Sequence, residues 1–286
     1  MQMATHSQPA MDIQSLKVEA AELRREIVEA LYESGGGHYG GSLSVLDILL
    51  TLYRRILRMY PDDPLNPNRD RFILSKGHSC IALYAVLRRL GFFTHPLSTY
   101  GRFNSPLEGH PDMTALPGID FSTGSLGQGL SVGLGMALTM RETDQHTWVV
   151  LGDGECQEGQ VWEAAMLAAR YGVSRLHAII DVNRFQEWGW NQDPDADTPP
   201  VEDLVLKWEA FGWRVLEVDG HDHEKLTATF ENAMATRGRP SVVLAQTIKG
   251  KGYKLIESDP IRFHCATVEA HEHAQLLEGS YDIAAC

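Results

Sequence analysis

Residues 147–183 constrain this chain more than any other stretch. An apolar run at 147–151 ends in Gly152-Asp153-Gly154, a segment of helical character follows, and a second apolar run at 176–181 leads to Asn183. Two buried strands joined by a helix form a parallel βαβ unit, and both strands then finish at the same edge of the sheet. Asp153 and Asn183 are therefore expected side by side. A carboxylate and an amide oxygen meeting there, with glycines that allow close approach to the backbone, suit a hard divalent cation that keeps positions for a diphosphate. Gly-Asp-Gly is also an ordinary turn sequence, so the pair taken by itself leaves both readings open.

The flanking sequence extends the same architecture. Residues 13–32 place apolar side chains at 13, 16, 20, 23, 27, 30 and 31, one face of a helix that stops at Gly35-Gly36-Gly37. Ser44 is placed to cap a second helix running through Val45, Leu46, Ile48, Leu49 and Leu52 to about Met59. Three prolines in PDDPLNPN at 61–68 then force a loop. A short strand at 71–75 and a helix at 81–90 precede an irregular stretch at 92–125, a length typical of functional loops. The helix expected at 126–140 carries Gly127, Gly129, Gly133 and Gly135. Each mid-helix glycine costs about 1 kcal/mol against alanine, so this helix is read as a closely packed interface element.

After residue 147 the pattern alternates: strand 147–151, helix 158–171, strand 176–181, a polar excursion at 188–200, helix 202–211, strand 213–218, helix 223–236 and strand 241–247. Such alternation builds an α/β fold, a doubly wound parallel sheet with helices on both faces. The expected organisation is a flexible start at 1–11, one domain at 12–265, and a tail at 266–286 with a weak helix near 268–278.

A formal charge of −13 argues against nucleic acid or an anionic membrane as partner. Cysteines at 80, 156, 265 and 286 form no CxxC and no close pair, which fits a reducing, cytoplasmic setting. The first eleven residues, MQMATHSQPAM, do not read as a secretory signal, and no apolar run reaches membrane length. Histidines recur as HxH at His221/His223 and at His271/His273, but Asp222 is a natural helix cap, which favours a structural role for the first pair. KGKG at 249–252 reads equally as an anion-steering loop or a solvated basic turn.

Five motifs occur in order: GGGHYGGSLS at 35–44, RFILSKGHS at 71–79, EGHPD at 108–112, STGSLGQGLSVGLGMAL at 122–138 and GDGECQEGQVWEAAM at 152–166. Together they resemble the transketolase family of thiamine-diphosphate enzymes. The resemblance implies the thiamine-diphosphate-binding fold, with thiamine diphosphate and Mg2+ as cofactors. It implies Asp153, Asn183 and the backbone carbonyl of Phe185 as metal ligands, and Gly154 as the residue whose missing side chain admits the diphosphate. Gly124 and Leu126 match positions that support the aminopyrimidine, although a helix start is an equally physical reading. Glu158 matches an interface glutamate that links paired cofactors, or is a helix-start acid favoured by the dipole. His38, His78, His110 and His264 match residues lining the channel above the thiazolium, His78 also touching the cofactor; any one of them by itself reads as a surface loop histidine. Imidazoles there can donate to sugar hydroxyls, stabilise an oxyanion or relay a proton.

The chain departs from the family after Asn183, where Arg184-Phe185-Gln186-Glu187-Trp188-Gly189 puts Glu187 where an apolar side chain would meet the cofactor. The resemblance also implies a second domain, supplying an activating glutamate and aromatic residues, that nothing in this sequence matches. The chain is thus expected to be the N-terminal subunit of a split transketolase, completed by a separate C-terminal subunit in an α2β2 assembly. It would move a two-carbon ketol unit from a ketose donor to an aldehyde acceptor, with sugars or sugar phosphates as substrates. Two other readings are an α-subunit of a 2-oxo acid dehydrogenase or decarboxylase, and a non-catalytic nucleotide binder. The first is not expected to carry SKGH, EGHP and TGSLGQG together, and the second is disfavoured because the first strand–helix turn lacks GxGxxG.

Overall fold

The computed structural model describes residues 11–187 and 203–278. Most of the expected flexible start, the polar excursion at 188–200, Trp188 and the end of the tail lie outside the described residues. Five strands, β1 (Arg71–Leu74), β2 (Thr147–Gly152), β3 (Leu176–Val182), β4 (Arg214–Asp219) and β5 (Ser241–Gln246), pair in parallel. Their order across the sheet is β1-β2-β3-β5-β4.

The strands read as continuous apolar runs because both faces of the sheet are covered. On β2, Trp148 and Val150 enter one core while Val149 and Leu151 enter the other, and β5 divides Val243 and Ala245 from Val242 and Leu244 in the same way. The first core is closed by α1 (Ile13–Glu33), α2 (Tyr39–Thr51), α3 (Cys80–Leu90) and α7 (His223–Met234). The second is closed by α4 (Gln128–Thr139), α5 (Gly159–Arg170) and α6 (Leu204–Ala210). The helix after β1 and the helix after β2 therefore lie on opposite faces, as do the segments following β3 and β5. Between such strand pairs a crevice opens at the carboxyl edge, the place where open α/β sheets bind ligands.

Several local features depart from the sequence expectation. Helix α2 begins at Tyr39, not after Ser44, so Ser44 is a buried residue in its second turn and not a cap. Gly40 and Gly41 belong to the helix because other groups occupy the space a side chain would need: a Cβ on Gly40 would lie 2.8 Å from Lys249 Cγ, and one on Gly41 3.0 Å from Ser79 Oγ. The helix then closes with a wider turn, in which the Leu57 N–H reaches the Leu52 carbonyl at 2.8 Å, so helical winding ends at Ile56 instead of about Met59. Beyond 249–252, expected to be irregular, stands a short α8 (Lys254–Ser258), whereas α9 (Ala270–Glu278) falls where a weak helix is expected.

The segment after residue 265 returns to the body of the domain. Gly37 and Ala266 exchange two backbone hydrogen bonds, each 3.0 Å, and Val268 and Leu276 are buried in the first core. Gly36 permits this contact: at φ +131°, its missing Cβ would sit 2.5 Å from the Ala266 carbonyl oxygen. Among the described residues no helix is long and apolar enough to cross a membrane.

The glycines of α4 divide by environment. A Cβ on Gly129 would lie 2.5 Å from Ser75 Cβ and 3.0 Å from its Cα, and one on Gly133 2.4 Å from Val149 Cγ2, whereas one on Gly135 would meet nothing within 4 Å. The first two let the helix lie flat on the sheet. Gly129→Ala should accordingly destabilise the chain by about 1–3 kcal/mol, as overpacking does, while Gly135→Ala should be neutral or stabilise by up to about 1 kcal/mol. Urea titration of the two variants checks the opposite signs.

Candidate active site

The carboxyl ends of β2 and β3 stand side by side and bring Asp153 and Asn183 into one corner. The Asp153 N–H donates to the Asp181 carbonyl at 3.3 Å, and the Asp153 carboxylate accepts the N–H groups of Gly154 at 2.8 Å and Arg184 at 2.6 Å. Asn183 is drawn into the same corner: its Oδ1 accepts the Phe185 N–H at 3.1 Å and its Nδ2 points to Ser44 Oγ at 3.4 Å. Arg184 makes the tight turn between them at φ +65°. Asp153 and Asn183 thus converge as a βαβ unit requires, and both are buried.

A cavity of about 290 Å3 opens over this edge. His78, Leu126, Asp153, Gly154, Glu158, Asn183, Phe185 and His264 line it. His38 joins them through ring contacts, its centroid 5.1 Å from that of His78 and 5.6 Å from that of His264, while the His78 and His264 centroids are 5.4 Å apart. His264 comes from the far end of the domain and is brought here by the pairing of Ala266 with Gly37, next to His38. His110 and Gly124 sit together next to the turn that carries His78: a Cβ on Gly124 would be 3.2 Å from the His110 ring, one on Gly77 would be 3.0 Å from the Gly124 nitrogen, and the His110 carbonyl accepts the Tyr84 hydroxyl at 3.0 Å. The sequence-predicted site residues therefore gather in one region of the molecule.

The histidine cluster is held neutral. Burial pulls His38 down to about 4, helped by His110, Lys76 and Lys249; burial and then Lys249 pull His264 down to about 3. Burial and Lys76 likewise lower His78 well below the ordinary range. At neutral pH these rings can each donate one hydrogen bond and accept another without carrying charge.

Three residues that sequence reasoning did not single out, Lys76, Asp181 and Glu155, complete the site together with Lys249, which it offered as part of an anion-steering loop. Lys76, in the SKGH motif, is buried and donates to Asp181 Oδ2 at 2.6 Å and to the Gly41 carbonyl at 3.1 Å. Asp181 also accepts Ser44 Oγ at 2.6 Å and the Thr247 hydroxyl. A carboxylate at the end of one apolar strand and a lysine in the turn after another were the available signal, although β2 stands between those strands. Glu155 accepts Ser75 Oγ at 2.6 Å and the N–H groups of Gly127 at 2.8 Å and Gly152 at 3.0 Å, tying the loops after β1 and β2 to the start of α4. Lys249, from KGKG, reaches the cavity and places Nζ 3.1 Å from the Phe185 carbonyl and 3.0 Å from His264 Nδ1, so this segment is no solvated turn.

Burial pushes Asp181 up, but Lys76 and the hydroxyls of Ser44 and Thr247 outweigh it and hold the carboxyl below its ordinary value. Asp153 lacks such compensation: burial, with the charge of Asp181 added, raises it to about 6. Burial, reinforced by Lys76, lowers the Lys249 ammonium to about 8. A buried carboxylate short of positive charge, an amide oxygen and a carbonyl fit a hard cation. Among the described residues no three His, Cys, Asp or Glu side chains gather as a metal site, so a cation here would rest on one carboxylate and neutral oxygens. The space beside the absent Gly154 Cβ is taken by the Gln186 side chain, at 3.3 Å, so an anion there would displace the end of that side chain. The donor set thus fits a cation, and a diphosphate fits once Gln186 moves aside.

Removing the Lys76 charge should strand Asp181 in the interior, so Lys76→Met is expected to cost about 3–5 kcal/mol in denaturant unfolding. Asp153 sets a pH dependence. Its raised carboxyl stabilises the cation-free fold at low pH, a contribution lost as pH rises through about 6. Cation binding has the opposite sense, because the ligand must be deprotonated: Mg2+ affinity should be constant above about pH 7 and fall about tenfold per unit below about 6. Calorimetric titration with Mg2+ across this range checks the slope, and a flat profile contradicts it.

Comparison with known proteins gives a consistent picture. Residues 16–280 match the family model described as transketolase, thiamine diphosphate binding domain. The chain is 40% identical over 268 residues to one of the subunits named for apulose-4-phosphate transketolase, that of Phocaeicola vulgatus, covering 92% of this chain and 94% of that protein. It is 42% identical over 245 residues to the 6-deoxy-6-sulfo-D-fructose transketolase subunit SqwG of Clostridium sp., covering 85% and 88%. Human transketolase is 35% identical over 280 residues, 96% of this chain but 44% of that protein. Among solved structures, transketolase from Campylobacter jejuni superposes with a TM-score of 0.83 at 30% identity, covering 94% of this chain and 43% of that one. The chain therefore spans nearly the whole of the subunits it resembles and less than half of the single-chain transketolases.

Proposed function

Because this chain belongs to the family of transketolase thiamine diphosphate-binding domains, we propose that it is the N-terminal subunit of a split transketolase. The observation that carries this reading is the meeting of Asp153 and Asn183 at one sheet edge, beside a cavity lined by Lys249, His78 and His264. The chain's similarity to a relative named as a transketolase subunit, over 94% of that relative, supports the subunit reading. In this reading a separate C-terminal subunit supplies the activating glutamate, in an α2β2 assembly. Cys80, Cys156 and Cys265, unpaired among the described residues, fit a reducing, cytoplasmic setting.

Asp153, Asn183 and the Phe185 carbonyl would hold Mg2+, and Gly154 and Lys249 would receive the diphosphate. Thiamine diphosphate, when bound, supplies the electron sink for breaking a carbon–carbon bond beside a carbonyl. The remaining work of this chain is position and proton handling. Gly124 and Leu126 support the ring end of the cofactor, and Glu158, exposed at the start of α5, faces a neighbouring subunit. His38, His78, His110 and His264 bind the hydroxyls of the sugar and accept or return its proton; burial keeps the inner three uncharged, so they do so without repelling a cationic ring. The substrates are a ketose donor and an aldehyde acceptor. One relative is named for a phosphate-bearing sugar and the other for a sulfo-bearing one, so sugars with an anionic terminus are the class to test first.

The chain copurified with its partner should transfer a two-carbon unit from a ketose to an aldehyde, and neither polypeptide should do so unaided. Asp153→Ala should weaken uptake of thiamine diphosphate with Mg2+ by about 100-fold or more in calorimetry. Turnover of 2-oxo acids in place of ketoses would move the protein to the dehydrogenase α-subunits, and cofactor binding that survives Asp153→Ala would remove the site.

A further inference from the structure

Lys249 stands on the loop that follows β5, and that loop is gripped on both sides of it. One residue before, the Ile248 N–H donates to His221 Nε2 at 2.8 Å. Two residues after, the Lys251 carbonyl accepts Arg24 Nε at 3.1 Å. Between them the Gly250 N–H donates to the Gly40 carbonyl at 3.1 Å. The Lys249 stem lies against Gly40, where a Cβ would be 2.8 Å from Lys249 Cγ.

The two side-chain grips share an anchor. Asp47, buried on α2, accepts His221 Nδ1 at 2.7 Å and pairs with the Arg24 guanidinium through the same oxygen, while its other oxygen lies 3.5 Å from His223 Nε2. A backbone N–H can only donate, so His221 Nε2 is an acceptor and its ring proton sits on Nδ1, directed at Asp47. One carboxylate thereby orients an imidazole and a guanidinium, and each of these fixes one side of the loop that presents Lys249.

We infer that Asp47, His221 and Arg24 form a clamp that positions Lys249 for the diphosphate of the cofactor. These three are positioning residues, acting through Lys249; the inference rests on the reading of the site given above. A purely structural ion pair between α1 and α2 would stabilise the fold without being coupled to Lys249. The clamp predicts coupling.

The test is a double-mutant cycle in the full chain together with its partner polypeptide, using His221→Phe, which keeps ring volume and removes both hydrogen bonds, and Lys249→Met. Thiamine diphosphate affinity at saturating Mg2+ is measured by calorimetry, and amide exchange over residues 247–252 by mass spectrometry. Each single variant should weaken affinity about tenfold, and the double variant should be no weaker than Lys249→Met. Amides at 247–252 should exchange faster in His221→Phe while those of β5 keep their protection. Asp47→Asn, carried through the same cycle, serves if His221→Phe does not fold. Additive losses in the cycle, or unchanged exchange at 247–252, overturn the clamp. If the unaltered complex takes up no thiamine diphosphate, the functional reading fails, and the exchange data still judge the clamp separately.

Discussion

The buried pair of Lys76 and Asp181 is the interaction on which the site is built. It links the turn after β1 to the end of β3, and through Ser44, Gly41 and Thr247 it also engages α2 and the end of β5. Removing one partner from such a pair costs about 3–5 kcal/mol, a large share of the roughly 5–15 kcal/mol by which a native domain is stable. Desolvating two charges is tolerated because each has further hydrogen bonds. The arrangement fixes where the strand ends stand relative to each other before any ligand arrives.

The same pair shapes the electrostatics of the corner. Asp181 has its counter-charge, whereas Asp153, buried alongside, feels Asp181 as a like charge and is pushed up to about 6. That imbalance creates a demand for positive charge at the cavity, partly met by Lys249 resting on the Phe185 carbonyl at 3.1 Å. In the proposed function, a cation and an anion arriving together would satisfy Asp153 and Lys249 at once. Uncharged histidines complete the wall, because burial costs an imidazolium more than nearby groups return.

Distant segments meet here for backbone reasons. Gly36, Gly40 and Gly41 lie where other groups press into the space of a side chain: the Ala266 carbonyl, the Lys249 stem and Ser79. Without a Cβ at these positions the C-terminal segment can pair with Gly37 and carry His264 to His38, and the β5 loop can deliver Lys249. The GGGHYGG motif is thus a meeting surface for two later parts of the chain.

Sequence patterning by itself established the α/β class, the order of the elements and the convergence of Asp153 with Asn183, since a parallel βαβ unit leaves its strand ends no other place. Resemblance to the transketolase family, and not patterning, marked His38, His78, His110, His264 and Gly124. Patterning misread Ser44 as a cap and KGKG as open to a solvated reading, because glycines next to a serine look like a loop and a basic turn looks exposed until a neighbour buries it. What tertiary structure decided was the pairing of groups far apart in the chain: Lys76 with Asp181, Lys249 with Phe185 and His264, Asp47 with His221. Local periodicity reports which face of an element is buried. It carries no record of which buried charge finds which partner, and that is settled only when the sheet is assembled and each desolvated group must be neutralised.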